Sequence, residues 1–319
     1  MRFRSFIVFM LALAAGPACG QAFPERPIRI IVPLPPGGSP DTLARTLSQA
    51  LPGAWGQPVV VENKTGGSQN IGSDAVAKSA PDGYTWLLAP DNVFCVNPYI
   101  TRQAFDPLSD LAPVTELARI QFLLVVNPSV PARSVQELVA YAKAHPGEIN
   151  YGSSGNGSPQ HLGAVLLERT TGVKMNHVPY KGAAPVIADL VPGRIQLFIG
   201  AANQLLPQVR EGRLRLLGST AAQRFANLGD VPTVAEAGAP GYSLDPWLGL
   251  FVPAKTPPEI VAKISAEVGK VLNEPQLKAR LGSQGIEVLT SAPAEFARFV
   301  RDDNAKWGKL IKEAGIKGE

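Results

Sequence analysis

Residues 28–45 read IRIIVPLPPGGSPDTLAR, and residues 149–162 read INYGSSGNGSPQHL. Each stretch starts on an apolar, strand-like run, passes through a Gly-rich turn and reaches a Ser-Pro pair that opens a helical pattern. Leu43, Leu47, Ala50 and Leu51 form a stripe at helical spacing after the first pair. Leu162, Val165 and Leu166 do so after the second. Each half of the chain therefore presents a Gly-rich turn and a helix N-terminus at the carboxyl end of a strand. Helix N-termini carry unpaired N–H groups and a partial positive charge, so they suit anions. In open α/β sheets ligands sit beyond these strand ends. Two such ends facing one another across a cleft would grip an anion from both sides.

Working outward, 59–62, 84–89, 123–126, 195–199, 214–219 and 247–252 read as further strands, and 71–80 and 134–144 as helices. Strands alternating with helices define an α/β protein. Thr256-Pro257-Pro258-Glu259 has capping-box spacing ahead of an apolar helix face. A last helix is expected over 293–312, with Phe296, Phe299, Val300, Trp307, Leu310 and Ile311 on its buried side.

The 319 residues are 45% hydrophobic and 18% charged, enough to build two packed domains. The net charge is only +4, half of it from Arg2 and Arg4, and no basic run is interleaved with aromatics, which argues against nucleic acid. Residues 1–22 have the basic, apolar and small-residue order of a secretory signal peptide, with cleavage expected before Phe23. Lipid modification of Cys19 is the alternative. The expected mature chain keeps one cysteine, Cys95, which excludes a disulfide framework and reads as a buried small hydrophobe. His145, His161 and His177 show no metal-ligand spacing. There is no Gly-Lys-[Ser/Thr], and Gly155-Asn156-Gly157 lacks the third glycine of a dinucleotide loop. Neither a metal nor a cofactor is expected. The window Gly152–Gly155 falls one residue short of a serine nucleophile elbow.

Further motifs follow in order: VVVENKTGG (59–67), PDGYTWLL (81–88), HVPYKGAAP (177–185), GRLRLLGST (212–220), DVPTVAEAGAPGY (230–242) and KWGKLIK (306–312). Together with the two opening stretches they make the chain resemble the Bug family, the TctC-like periplasmic receptors of tripartite tricarboxylate transporters. The resemblance implies a Venus-flytrap fold with a ligand cleft between two lobes. One lobe comprises 23–123 with 246–319, and the other 124–245. It implies a small organic acid as ligand, delivery to membrane subunits like TctA and TctB, a periplasmic location and a monomer. Carried over by matching position, the ligand-binding residues are Pro35, Pro36, Gly37, Gly38, Ser39 and Asp41 in the first loop. In the second they are Ser153, Ser154, Gly155, Gly157, Ser158 and His161, with Tyr180 in a further wall motif.

Two departures from the family pattern stand out. Pro90-Asp91-Asn92 replaces small or hydroxyl residues, so Asp91 is expected to line the pocket and disfavour a second carboxylate. Gly200 stands where many relatives carry an acid after a strand. Two other functions fit the same residues: a ligand sensor for a membrane signalling kinase, and an exported hydrolase using Ser154 or Ser158 with His161.

Overall fold

A computed structural model describes residues 23–318. The signal peptide expected over 1–22 lies outside the described residues.

Two separate sheets form. The first has β1 (Ile28–Val32), β2 (Val59–Asn63), β3 (Thr85–Pro90), β4 (Leu111–Ile120), β10 (Trp247–Pro253) and β11 (Ile286–Val288), ordered β11-β4-β10-β3-β1-β2. The second has β5 (Phe122–Val126), β6 (Asn150–Ser153), β7 (Asn176–Pro179), β8 (Leu197–Ala201) and β9 (Arg215–Ser219), ordered β7-β6-β8-β5-β9. The chain crosses at Gln121 and again between Ser219 and Trp247. β1, β2 and β3 are parallel, β10 runs against β3 and β4, and β5 runs against β8 and β9. This register brings the carboxyl ends of β1, β2, β3, β6 and β8 to the side where both crossovers run.

The sheets are covered on both faces, which is why their strands read as nearly continuous apolar runs. Side chains alternate between layers. Ile28, Ile30 and Val32 enter a core beneath α1 (Ser39–Trp55) and α9 (Pro258–Leu272), while Ile31 enters the core on the opposite face. Leu123 and Val125 pack with α7 (Ala183–Leu190) and α8 (Ala202–Arg210). Leu124 and Val126 join α5 (Val135–Ala144) and α6 (Pro159–Thr171). That last core is continuous with the packing of α2 (Asn70–Ala77), α3 (Asn92–Cys95), α4 (Asn97–Ile100) and α11 (Pro293–Ala314), so one apolar layer spans both lobes. Cys95 is buried within it.

Several local expectations need correcting. The capping box at 256–259 does not form. Thr256 Oγ1 donates to Pro253 O (2.8 Å) and α9 starts at Pro258 without a side-chain cap. β4, β11, α7, α8 and α10 (Pro275–Gly282) went unread. In β4 the apolar pattern is broken by buried Thr115 and Glu116, which are satisfied by Ser291 and Arg119. The strand expected at 195–199 sits two residues later, so Gly200 lies inside β8. A Cβ there would come 2.3 Å from the Phe198 ring, which leaves no room for an acid.

Gly249 in β10 is a close-approach glycine, since a Cβ would lie 2.4 Å from Phe296 Cζ and 2.7 Å from Phe251 Cε2. Gly249→Ala is expected to lower stability by about 1–3 kcal/mol through overpacking. Gly53→Ala, inside α1 with nothing within 4 Å of the new methyl, should hold or raise it. Urea midpoints of the two variants check this.

Candidate functional site

The loop after β1 is held by α1. Asp41 lies in the first turn of that helix, and its carboxylate accepts from Gly37 N–H (3.0 Å), Asn63 Nδ2 (3.0 Å) and Arg45 Nε (2.9 Å). Asn63, at the end of β2, also donates to Leu34 O (3.0 Å). Burial alone would lift the Asp41 carboxyl; the bonds from Arg45, Gly37 and Asn63 outweigh it and hold it below the usual range. Asp41 therefore shapes the loop from inside. Ser39 does not cap α1, since the capping position falls on Gly38 without a side-chain bond.

The loop after β6 is held by two imidazoles. His161 stacks on His177 with ring centroids 4.0 Å apart and planes within 6°. Its Nδ1 accepts from Gly157 N–H (3.1 Å), which fixes it as the acceptor nitrogen. His177 Nε2 meets Ser153 Oγ at 2.6 Å, and Ser153 Oγ also accepts from Gly155 N–H (3.1 Å). Burial, and then the neighbouring His177, push His161 down to about 4; burial lowers His177 as well. Both rings are neutral at pH 7. Ser158 is a true cap, its Oγ accepting from His161 N–H (3.3 Å). Gly157 has φ +72°, and a Cβ there would lie 2.3 Å from Ile100 Cδ1 of the other lobe.

An open cavity of about 460 Å³ lies between the lobes. Leu34, Ser68, Gln69, Pro90, Asn92, Asn97 and Ile100 line it from one side, and Ser154, Asn156, Gly157, Ser158, Pro159 and Gln160 from the other. None of these side chains is ionisable. Ser68 (φ 52°) and Gln69 (φ 76°) are consecutive non-glycine residues in the left-handed region, a costly backbone arrangement. Asn97 Nδ2 braces this turn by donating to Ser68 O (2.6 Å). The amide oxygens of Gln69 and Gln160 are buried without a hydrogen-bond partner. Neither glutamine was anticipated from sequence. The adjoining Gly66-Gly67 announces a turn, but nothing in the residue types signals that the two positions after it are strained.

The expected residues divide into four groups. Ser154, Gly157 and Ser158 line this cavity. Gly37, Gly38 and Ser39 line a neighbouring interlobe cavity of about 450 Å³, opposite Ala201, Asn203, Gln204 and Arg210. Ser153, Gly155, His161 and Asp41 stand behind the walls as supports. Pro35 and Pro36 are exposed and line neither cavity. Tyr180 lines neither; its hydroxyl donates to Asp189 Oδ2 (2.9 Å).

Asp91 is corrected from pocket wall to buried neighbour. Pro90 and Asn92 line the cavity, whereas Asp91 accepts from Asn92 N–H (2.8 Å) and is 8% exposed. Burial, and then the nearby Asp303 on α11, push its carboxyl up to about 8. The hydrolase reading finds His161 Nδ1 occupied by Gly157 N–H, and the Ser158 hydroxyl it would activate serves as the cap of α6.

Two α/β lobes joined by two crossovers, with a polar cavity at their facing strand ends, define a two-lobed solute-binding receptor. Residues 43–316 match the family model described as the tripartite tricarboxylate transporter family receptor. BugT of Bordetella pertussis is 35% identical over 308 residues, covering 95% of this chain and 94% of that protein. An R. palustris protein solved with adipate is 37% identical with a TM-score of 0.80, covering 93% of this chain and all of the other. MatC from Rhodopseudomonas palustris with bound malate is 30% identical with a TM-score of 0.75, covering 91% and 100%. A TctC solute-binding protein from Polaromonas is 32% identical with a TM-score of 0.81, covering 91% and 99%. The chain belongs to the TctC (Bug) family of receptors.

Two predictions follow from the site's supports. A folded-state Asp91 that titrates near 8, against about 3.9 when unfolded, holds a proton the unfolded chain has lost, so its contribution to stability falls as pH rises through that window. Asp91→Asn keeps an acceptor for Asn92 N–H and should stabilise the protein at pH 8 by up to about 5 kcal/mol, with the gain vanishing near pH 4. Equal gains at both pH values, in urea melts, would refute this titration. Gly157→Ala should wedge Ile100 and hold the lobes apart, read as a larger radius of gyration by small-angle scattering.

Proposed function

We propose that this protein captures a small organic carboxylate between its lobes and delivers it to membrane subunits resembling TctA and TctB. The reading is non-catalytic, and it places capture in the periplasm after export through the signal peptide expected over 1–22. The observation that carries it is the uncharged interlobe cavity at the start of α6. Hydroxyls, amides and a helix N-terminus supply neutral donors there, and hydrogen bonds to a charged acceptor contribute about 1.5–3 kcal/mol each. The adipate and malate held by two relatives of the same fold support a carboxylate as the ligand class. No arginine or lysine lines this cavity, so recognition rests on several weaker bonds made together as the lobes close.

Thermal-shift and calorimetric screening against carboxylic acids tests the reading. A ligand at 100 times its dissociation constant should add about 2.7 kcal/mol of stability. The methyl ester or amide of the binding carboxylate should bind at least tenfold more weakly than the acid. An ester that binds as tightly as its acid would remove the carboxylate from the site.

A further inference from the structure

We propose that the outer face of α11, completed by Arg169 of the other lobe, docks an acidic protein surface on the membrane subunits. This rests on the delivery reading above and adds the chemistry of the partner. Arg298, Arg301, Lys309 and Lys312 are all exposed, with Ala305 exposed among them. At 3.6 residues per turn these five positions fall within about 80° of the helix circumference, and at 1.5 Å per residue they run about 21 Å along its axis. No acid lies inside that stripe. Glu295, Asp302 and Glu313 follow one edge of it, with Lys306 beyond them.

The fold makes little use of these charges. Lys309 Nζ lies 3.9 Å from Glu313 Oε1 with its side chain 78% exposed, and Lys312 Nζ sits 5.3 Å from the centre of the Tyr99 ring. Neither Arg298 nor Arg301 is in an ion pair among the described residues. The expected mature chain, 23–319, has a net charge of only +2. Four cations on one stripe therefore leave the remaining surface net negative. Such an asymmetry orients the molecule toward an acidic partner and presents this face first.

The face is built from both lobes. Arg169, in the last turn of α6, is exposed and donates to Glu313 O, beside Lys312. α6 belongs to the second lobe and α11 to the first. Movement of the lobes displaces Arg169 relative to Lys309 and Lys312, so a partner seated across them reads the lobe arrangement as well as the charge. That geometry suits a protein surface of fixed shape. It does not suit a bilayer, because the apolar side that an interfacial helix would insert into lipid is here packed in the core as Phe296, Val300, Trp307, Leu310 and Ile311.

The probe is fluorescein-labelled decaglutamate, which spans the stripe when extended at about 3.3 Å per residue. It is titrated with the exported chain at about 20 mM salt and read by anisotropy. Saturable binding is expected, weakening at least tenfold at about 150 mM salt, where the screening length is about 8 Å. Arg298→Glu combined with Lys309→Glu should weaken it at least tenfold, and Arg169→Gln about threefold. Lys143→Glu combined with Lys278→Glu makes the same charge change at exposed positions on α5 and α10 and should stay within about twofold of the unaltered protein. Circular dichroism confirms that each variant is folded. Phosphatidylcholine vesicles containing phosphatidylglycerol should sediment no more protein than pure phosphatidylcholine vesicles. No decaglutamate binding by the unaltered protein, or equal losses in the two reversal pairs, overturns the docking face. Sedimentation with the anionic vesicles that the α11 reversals abolish assigns the face to lipid and overturns it too. A chain that binds carboxylates but no decaglutamate loses only this face. A chain that binds decaglutamate but no carboxylate breaks the capture reading, and with it the delivery role given to the face.

Discussion

Parallel strands end in backbone groups that have no further partner, and here two sheets aim those ends at a single gap. Buried N–H and C=O groups must be paired, so each loop has to bring its own acceptors and donors. The first loop recruits Asp41 from the helix it leads into and Asn63 from the neighbouring strand. The second recruits the stacked His161 and His177, with Ser153 between strand and ring. Groups that look like ligand contacts in the sequence are consumed in making the loops rigid. What remains at the walls is the uncharged lining itself, hydroxyl and amide side chains such as Ser154 and Asn92.

A second consequence concerns the segment 92–100. Its cavity face carries Asn92, Asn97 and Ile100, and its other face packs on α11. Cys95 Sγ donates to Asp303 Oδ2 (3.5 Å), Tyr99 OH donates to Asn304 Oδ1 (2.7 Å), and Asn304 Nδ2 donates to Phe94 O (2.6 Å). Trp247 Nε1, at the end of the second crossover, donates to the same Asp303 oxygen (2.8 Å). Lys306 Nζ reaches Ser243 O within that crossover (2.9 Å). One helix thus fixes both this cavity wall and the second crossover. Movement of Ile100 against Gly157 is mechanically joined to the crossover, without a relay of charges between them.

The fold was largely readable because strands buried on both faces leave uninterrupted apolar runs, as in IRIIV and FLLVV. Part of the reading failed where burial was polar, while the short apolar α7 and β11 went unread as well. β4 hides Thr115 and Glu116 in its middle, and α8 and α10 have low apolar content. Motif position found Ser154, Gly157 and Ser158 at the cavity, because a Gly-rich turn before a capped helix has few places to go. It could not separate a residue that faces the cavity from one that supports it. Ser153 and Ser154 are adjacent and chemically identical, yet strand alternation buries the first and turns the second to the gap. Asp91 shows the same limit: its neighbours on both sides line the wall while its own side chain turns inward.

That inward turn has an electrostatic result. Opposite Asp91 lies Asp303, and burial raises both carboxyls, so the pair resists ionising. Two unit charges 4 Å apart interact by about 4 kcal/mol at an effective dielectric near 20, a penalty that a bound carboxylate beside an ionised Asp91 would share in proportion to its distance. Kept protonated at pH 7, Asp91 imposes none of this on the cavity next to Pro90 and Asn92. The imidazoles behind the opposite wall are neutral for the corresponding reason, burial disfavouring their cationic form. The cavity is therefore neutral through the protonation states of the groups behind it as well as through its lining. On the carboxylate reading proposed above, an anion inside it would be held by dipoles: the N-terminus of α6, the hydroxyls of Ser154 and Ser158, and the amides of the two lobes. Dipolar recognition falls off steeply with distance and angle, so on that reading affinity would depend on both walls being in place.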